Sequence, residues 1–126
     1  MPYNPQVSTR LDGEDFLRFI ASTEPRDLGY KTLCNYWAKG KFREGYGAFA
    51  IDGKTYRAHR VIWADENGRW PEETLDHLCH DPATCSGGWE CPHRACVNPD
   101  HLAHKSIKEN VLRGGGPTAA NAKKTV

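Results

Sequence analysis

Apolar positions near the start of the chain repeat with the spacing of a short helix. In residues 11–21, Phe16, Leu17 and Ile20 share one helical face, and acidic residues occupy the first turn. Asp12 has the short polar side chain that caps helix N-termini. The pattern therefore predicts a helix over 11–21 whose apolar face joins the core.

Three short extended segments are predicted next. They cover residues 33–38, 45–51 and 56–59, and the second alternates between two faces. The last two flank Asp52-Gly53, a dipeptide favoured in tight hairpins because glycine tolerates positive φ. The pattern predicts a β-hairpin closed at this dipeptide.

A second helix is predicted over residues 59–67, with Gly68 just past its C-terminus, where a left-handed residue usually ends a helix. The two helices and the extended segments together supply the expected core. Its predicted members are Phe16, Ile20, Trp37, Phe49, Ile51, Val61, Ile62 and Trp63.

Regular structure is sparser in the second half. Residues 74–78 predict a short strand. Asn98-Pro99 predicts a helix start, with asparagine as the cap and proline in the first helical position. Residues 106–113 predict a last helix, ended by three glycines. The order of elements indicates a small α+β fold.

Composition narrows the class of protein. The chain has 126 residues, 38% of them hydrophobic, and a mean hydropathy of −0.72. One domain is expected at this length. No apolar run reaches the roughly 18 residues of a membrane span, and the N-terminus has no apolar stretch typical of a secretory signal. These features predict a cytoplasmic protein without membrane association.

The net charge of +1 is uninformative, but the charges are unevenly placed. Residues 39–43 and 54–60 are basic, whereas acidic residues gather in 64–73. Such polarity is compatible with one face meeting phosphates. On charge alone, an ordinary solvated surface is the favoured explanation.

Residues 75–102 hold four of the five cysteines and four of the six histidines. A disulfide knot, a structural metal site and an active site all concentrate such residues. An odd cysteine count and a reducing compartment favour metal ligands over disulfides. Free, buried thiols remain an alternative, and Cys34, in a predicted strand, is expected to be one.

The four clustered cysteines are the first choice of zinc ligands. They are separated by five, five and four residues, and the loop 79–96 contains almost no aliphatic residue. Because such a loop cannot fold by burial, a tetrahedral zinc would supply the missing free energy. His80 and His93 are possible substitutes. The predicted ligands are Cys79, Cys85, Cys91 and Cys96.

Asp76 and His77 are neighbours in a predicted strand, so their side chains point to opposite faces. One can bind a cation while the other reaches a water. Asn98 and His101 lie three residues apart at the predicted helix start, on one face. A hard divalent cation and a neutral histidine are the groups needed to hydrolyse a phosphodiester.

The strings DHLC, CVNPDHL and ENVLRG, in that order, resemble the HNH endonucleases, a branch of the His-Me finger (ββα-metal) nucleases common in phages and bacteria. The upstream string GYGAFAIDGKTYRAHRV resembles the element preceding this motif in many phage members. The resemblance runs from about residue 33 to 113. It implies an arm with a short helix over 1–32, a nuclease domain over 33–113 and a flexible tail over 114–126. The implied fold has small antiparallel hairpins and short helices around a ββα-metal motif with a zinc-stapled loop.

The resemblance also implies roles for individual residues. His77 would be the general base and Asp76 a ligand of Mg²⁺ or another divalent cation such as Mn²⁺. Asn98 would shape the loop facing the base, and His101 would be the second cation ligand. In some relatives an asparagine before the leucine binds the cation; on that alignment His101 is still the ligand and Asn98 only a cap. Many members carry a separate cysteine-bound Zn²⁺.

The implied activity is cleavage of double-stranded DNA, by one copy or by a homodimer, in a bacterial host or encoded by a phage. His59 would either orient a neighbouring group or be an ordinary hydrogen-bonded histidine. A non-catalytic zinc-containing DNA-binding module and a ribonuclease of the same fold remain alternatives. The candidate DNA contacts are Arg43, Arg57, Arg60, Lys105, Lys108 and Arg113.

Overall fold

The computed structural model describes residues 5, 9–72 and 74–104. These residues form two α-helices, two 3₁₀ turns and six short strands. The strands form three antiparallel pairs: β1 with β2, β3 with β4, and β5 with β6. The elements, in chain order, are α1 (Gly13–Ala21), β1 (Thr23–Arg26), β2 (Cys34–Trp37), β3 (Ala48–Ile51), β4 (Lys54–Arg57), α2 (Ala58–Asn67), β5 (Leu75–His77), 3₁₀ turns at Pro92–Ala95 and Pro99–His101, and β6 (Leu102–His104).

Helix α1 begins where the sequence predicts, because the Asp12 carboxylate accepts a hydrogen bond from the Asp15 amide at 2.7 Å. Its buried face differs from the prediction. Phe19 is 1% exposed, whereas Phe16 and Ile20 are 39% and 44% exposed. Phe19 is thus the one buried residue of α1.

The first strand pair was not predicted as a pair. Residues 23–26 pair with β2 in the register Arg26↔Cys34, although a proline and charged residues hide any apolar alternation there. The pairing fixes β2 with Cys34 and Trp37 buried. Cys34 therefore points into the molecule.

The β3–β4 hairpin and α2 confirm the sequence prediction closely. Asp52 and Gly53 form the turn with φ values of 52° and 82°, the left-handed pair that a two-residue hairpin needs. Helix α2 follows β4 directly and ends at Gly68, whose φ is 75°. This arrangement places His59 in the first turn of α2, facing inward.

Strand β5 pairs with β6 in the register His77↔Leu102 and Asp76↔Ala103. The predicted helix start at Asn98 is realised as a single 3₁₀ turn: the Asn98 side chain accepts from the Asp100 amide at 3.0 Å. Three-residue β6 follows where a longer helix would have continued. The predicted helix at 106–113 and the tail lie outside the described residues.

The core combines six of the eight predicted residues with small and aliphatic side chains from both halves of the chain. Those six are Trp37, Phe49, Ile51, Val61, Ile62 and Trp63; the additional members are Phe19, Ala58, Leu75, Ala95, Val97 and Leu102. The small α+β class is thus confirmed, while the specific ββα-metal arrangement stays a prediction. Among the described residues, no helix is long and apolar enough to span a membrane.

Candidate active site and metal centres

His77, at the end of β5, is held by a backbone carbonyl. Its Nε2 lies 3.0 Å from the carbonyl oxygen of Cys96. Because a carbonyl only accepts hydrogen bonds, Nε2 must carry the proton. In the neutral ring, Nδ1 therefore keeps its lone pair and can accept a proton.

Two further rings lie against His77. Tyr46 stacks on His59 with ring centroids 4.8 Å apart and on His77 at 6.2 Å, and the two histidine rings are 5.1 Å apart. His59 is buried, and its Nδ1 has no hydrogen-bond partner among the described residues. At its Nδ1 atom, His59 therefore differs from the ordinary hydrogen-bonded histidine that was one of the two interpretations of the sequence.

Burial sets the protonation of both histidines. It lowers the pKa of His77 and outweighs the negative charges of Cys96 and Asp76, which raise that pKa. Burial also lowers the pKa of His59 well below its usual value, and the nearby His77 adds to the effect. Both rings are consequently neutral at pH 7, the form required of a general base.

The structure places His101 away from its predicted role beside Asp76. His101 is 1% exposed, and its Nε2 lies 2.6 Å from the Thr32 hydroxyl oxygen. Its Nδ1 lies 3.5 Å and 3.6 Å from the sulfur atoms of Cys96 and Cys34. Both ring nitrogens of His101 are thus directed to these partners, which differs from the predicted role beside Asp76.

His101 instead belongs to a buried group that we call the inner cluster: Cys34, Cys79, Cys96 and His101. All four ligand atoms lie within 4.8 Å of one another, and all four residues are buried. Three sulfurs and one imidazole nitrogen form a donor set suited to zinc in tetrahedral coordination.

The three thiols of the inner cluster influence one another's pKa values. Burial raises the pKa of Cys34, and hydrogen bonding with Cys96 raises the pKa of Cys79. The same hydrogen bond from Cys79 lowers the pKa of Cys96. Without a cation, one thiolate is stabilised at the expense of its neighbours; a bound divalent cation would favour all three thiolates.

A second group, which we call the outer cluster, contains His80, Cys85, Cys91 and His93. Its ligand atoms also lie within 4.8 Å of one another, and two of its residues are half-buried. Both Cys/His clusters could thus hold a metal such as zinc.

The four cysteines predicted to form one site are divided between the two clusters. Cys79 and Cys96 lie in the inner cluster, while Cys85 and Cys91 lie in the outer one. Cys34, expected to be a packed thiol, is the third sulfur of the inner cluster. The sequence contained the signal, since five cysteines with His80, His93 and His101 make eight ligands, enough for two tetrahedra. Their division could not be seen, because strand pairing brings Cys34 to the others.

The Asn98 side chain makes hydrogen bonds that hold the loop in which it lies. Besides capping the 3₁₀ turn, its side-chain amide donates to the Leu33 carbonyl at 3.2 Å, which ties the turn to the segment before β2. This contact fits the cap interpretation of Asn98. No described contact joins Asn98 to His77.

The predicted DNA contacts differ in their surroundings. Arg43 is exposed, with its guanidinium 4.9 Å from the centre of the Trp89 ring. Arg57 is exposed and lies 3.8 Å from the Glu44 carboxylate. Arg60 is half-buried and donates to the Pro71 carbonyl at 2.7 Å, a structural contact. Lys105, Lys108 and Arg113 lie outside the described residues.

Comparison with known families supports the resemblance seen in the sequence. A family model described as HNH endonuclease matches residues 56–86. The match covers α2 and β5, and with them His59, Asp76 and His77; it ends before Asn98. Searches of curated proteins and of solved structures found no significant match. The resemblance to HNH endonucleases is thereby confirmed for this segment, which indicates a nuclease-type or DNA-binding function.

Proposed function

We propose that the protein is a metal-dependent endonuclease that hydrolyses phosphodiester bonds of double-stranded DNA. The observation that carries this proposal is the hydrogen bond between His77 Nε2 and the Cys96 carbonyl. It leaves Nδ1 of a neutral imidazole as the acceptor, next to a carboxylate in the same strand. That combination is what general-base activation of water at a cation-bound phosphate requires.

His77 takes a proton from a water molecule, and the water oxygen then attacks phosphorus. The bond to the 3′ oxygen breaks, leaving a 5′-phosphate and, after protonation of the departing oxygen, a 3′-hydroxyl. Asp76 is the proposed protein ligand for Mg²⁺ or Mn²⁺, which when bound would stabilise charge on the phosphate and the leaving oxygen. Magnesium commonly uses one or two carboxylates, completed by water and substrate phosphate, so a site with Asp76 and without His101 is chemically sufficient.

In this proposal, the inner cluster binds a structural zinc ion. Its ligands are Cys34 in β2, Cys79 two residues after β5, Cys96 directly after the first 3₁₀ turn and His101 at the end of the second. Zinc at this position would fix the β5–β6 pair, and with it Asp76 and His77, to the first strand pair. This ligand set replaces the four cysteines predicted from sequence.

Arg43 and Arg57 are the proposed phosphate contacts among the described residues. Both are exposed, in contrast to Arg60. Because the negatively charged backbone dominates affinity for DNA, these contacts would strengthen binding without conferring sequence preference.

The test is a plasmid-cleavage assay with the protein and its His77→Ala variant, in Mg²⁺ and in Mn²⁺. We expect the variant to cleave about 10²- to 10⁴-fold more slowly while its DNA retention at matched salt is unchanged. Leu78→Ala, an exposed neighbour, is the matched control and should cleave normally.

Failure of the parent protein to cleave in either metal, with DNA binding intact, would support a non-catalytic zinc-containing DNA-binding module. RNA of the same sequence is assayed in parallel. Faster cleavage of RNA than of DNA would contradict the assignment of DNA as substrate and indicate a ribonuclease.

A further inference from the structure

We propose that the chain binds two ions of zinc or of a metal with the same ligand preference. The second ion is held by the outer cluster, His80, Cys85, Cys91 and His93, and it fastens residues 80–93 against the turn that carries Tyr46. This proposal goes beyond the nuclease function, since neither the hydrolytic step nor the single structural zinc of the inner cluster needs a metal at the outer cluster.

The spacing of the outer ligands fits a tetrahedral ion. The sulfur of Cys91 lies 3.4 Å from each of three atoms: the sulfur of Cys85, Nδ1 of His80 and Nδ1 of His93. Zinc–sulfur and zinc–nitrogen bond lengths imply that ligand atoms in a tetrahedral site are roughly 3.3 to 3.8 Å apart. Two thiols and two imidazoles thus converge at the spacing of a tetrahedral site.

His93 is oriented for metal binding by a partner outside the cluster. Its Nε2 lies 2.9 Å from the Leu28 carbonyl oxygen, so Nε2 carries the proton and Nδ1 turns its lone pair toward Cys91. Zinc-binding histidines usually donate their second N–H to a carbonyl or carboxylate in this way. His93 is also buried, so the orientation is fixed by packing.

The loop between the outer ligands lacks an apolar core of its own. Residues 81–84 and 88–90 are exposed, including Trp89 at 56%, and the hydrophobic clusters of the described residues include none from 80–94. Gly87 and Gly88 both have positive φ. Since ordering such a loop costs conformational entropy, a bound metal is the natural source of the compensating free energy.

The loop packs on the turn next to the candidate active site. A Cβ at Gly45 would lie 2.7 Å from the Trp89 carbonyl oxygen, so the two backbones are in close contact. Arg94 donates to the Glu44 carbonyl at 3.0 Å and lies 5.1 Å from the centre of the Tyr46 ring. Tyr46 in turn stacks on His77. Through these contacts, an ion that orders the loop would also help to hold Tyr46 in place beside His77.

The two ions should differ in accessibility. All four inner ligands are buried, whereas His80 and Cys85 of the outer cluster are half-buried. A chelator should therefore reach the outer ion first. Release in two phases, one ion in each, is the expected behaviour of the full chain.

Metal content measured by mass spectrometry on the purified full chain tests the proposal directly. We expect two zinc ions per chain, one ion in the double variant Cys85→Ser/Cys91→Ser, and two in the control Ser86→Ala. One ion in the parent protein, or two in the double variant, would overturn the proposal. The count is independent of cleavage, so a correct count in an inactive protein would refute only the nuclease proposal.

A measurement on the unmodified sequence covers the case in which the double variant does not fold. After cobalt exchange, two filled sites give thiolate-to-cobalt absorption from five cysteines, and the inner site alone gives it from three. The lower intensity, or a Cys85–Cys91 disulfide found in protein purified with reductant, would contradict the outer site.

Hydrogen exchange tests whether the ion fastens the loop. Selective chelation of the faster-released ion should increase amide exchange in residues 81–90 and 42–46 while β3, β4 and α2 keep their protection. Unchanged exchange in 81–90 and 42–46 would show that the ion does not fasten the loop.

Discussion

Different neighbours set the tautomer and the protonation state of the His77 imidazole. The Cys96 carbonyl selects the tautomer, and burial against His59 and Tyr46 keeps the ring neutral. Asp76, its neighbour in the chain, lies across from Ala103. The proposed general base and the proposed cation ligand are therefore adjacent residues of one three-residue strand.

The lowered pKa of His77 predicts the acid limit of cleavage. A base with a pKa below the usual 6.5 stays deprotonated to lower pH, and a cation at Asp76 would lower it further. We expect the cleavage rate at saturating Mg²⁺ to fall as the pH is lowered and to reach half of its maximum only below pH 6.5.

The control is zinc content at each pH, which must stay constant for the decline to report His77. A rate that already halves above pH 6.5, with zinc retained, would contradict the assignment of a buried neutral histidine as the base.

Replacing Asp76 by asparagine keeps the side chain's size and removes its charge. We expect Asp76→Asn to raise the Mg²⁺ concentration needed for half-maximal cleavage about tenfold or more, because a contact charge has been lost. A metal titration of cleavage measures this. An unchanged metal requirement would mean that Asp76 is not a ligand.

How far individual residues can be predicted depends on whether their partners are local. Asp76 and His77 carry a local signal, and the family match covers both. The surroundings of His101 could not be predicted, because two of its partners, Thr32 and Cys34, are remote in sequence. Only the packed fold shows that its ring lies beside the sulfurs of Cys34 and Cys96.

Among the helices and strands, α1 was predicted correctly as a helix, but the wrong residues were predicted to be buried. Phe19 contacts Trp37 and Phe49, with ring centroids 4.9 Å and 5.0 Å apart. Leu17, on the predicted apolar face, is 70% exposed. Burial in the core, rather than hydrophobicity, decides what each side chain contributes to stability.

Phe19→Ala should therefore lower the free energy of unfolding by about 3 to 5 kcal/mol, since it removes a buried aromatic ring. Leu17→Ala on the same helix should change it by less than about 0.5 kcal/mol. Denaturant unfolding of the zinc-loaded protein compares them. Equal losses in the two variants would contradict the described orientation of α1.

Elements with local signals were predictable and the others were not. The β3–β4 hairpin and α2 follow from Asp52-Gly53 and Gly68, whose backbone angles are set by short-range chemistry. Strands β1 and β6 exist because each has a partner strand; their own sequences, one with a proline and the other only three residues long, give little indication of pairing.

In the molecule as a whole, the inner cluster joins segments that are distant in the chain. Its ligands run from Cys34 in β2 to His101 beside β6, and the three sulfurs form a core of their own with Leu28 and Tyr30. A metal bound here would act as a cross-link, and its loss would release long loops.

Removal of all metal should therefore unfold the chain, whereas loss of the outer ion alone should not. We expect Cys34→Ser to lower the melting temperature more than Cys85→Ser does. Near-ultraviolet circular dichroism during a thermal scan measures both. Restoration of the fold of the metal-free protein by Mg²⁺ alone would contradict a structural role for thiolate-bound zinc.

Cys96 gives its sulfur to the inner cluster and its carbonyl to His77. One residue thus couples the inner site to the orientation of the proposed base. Removal of the inner ion is therefore expected to abolish cleavage together with the fold, and no folded, metal-free form that still cuts DNA is expected.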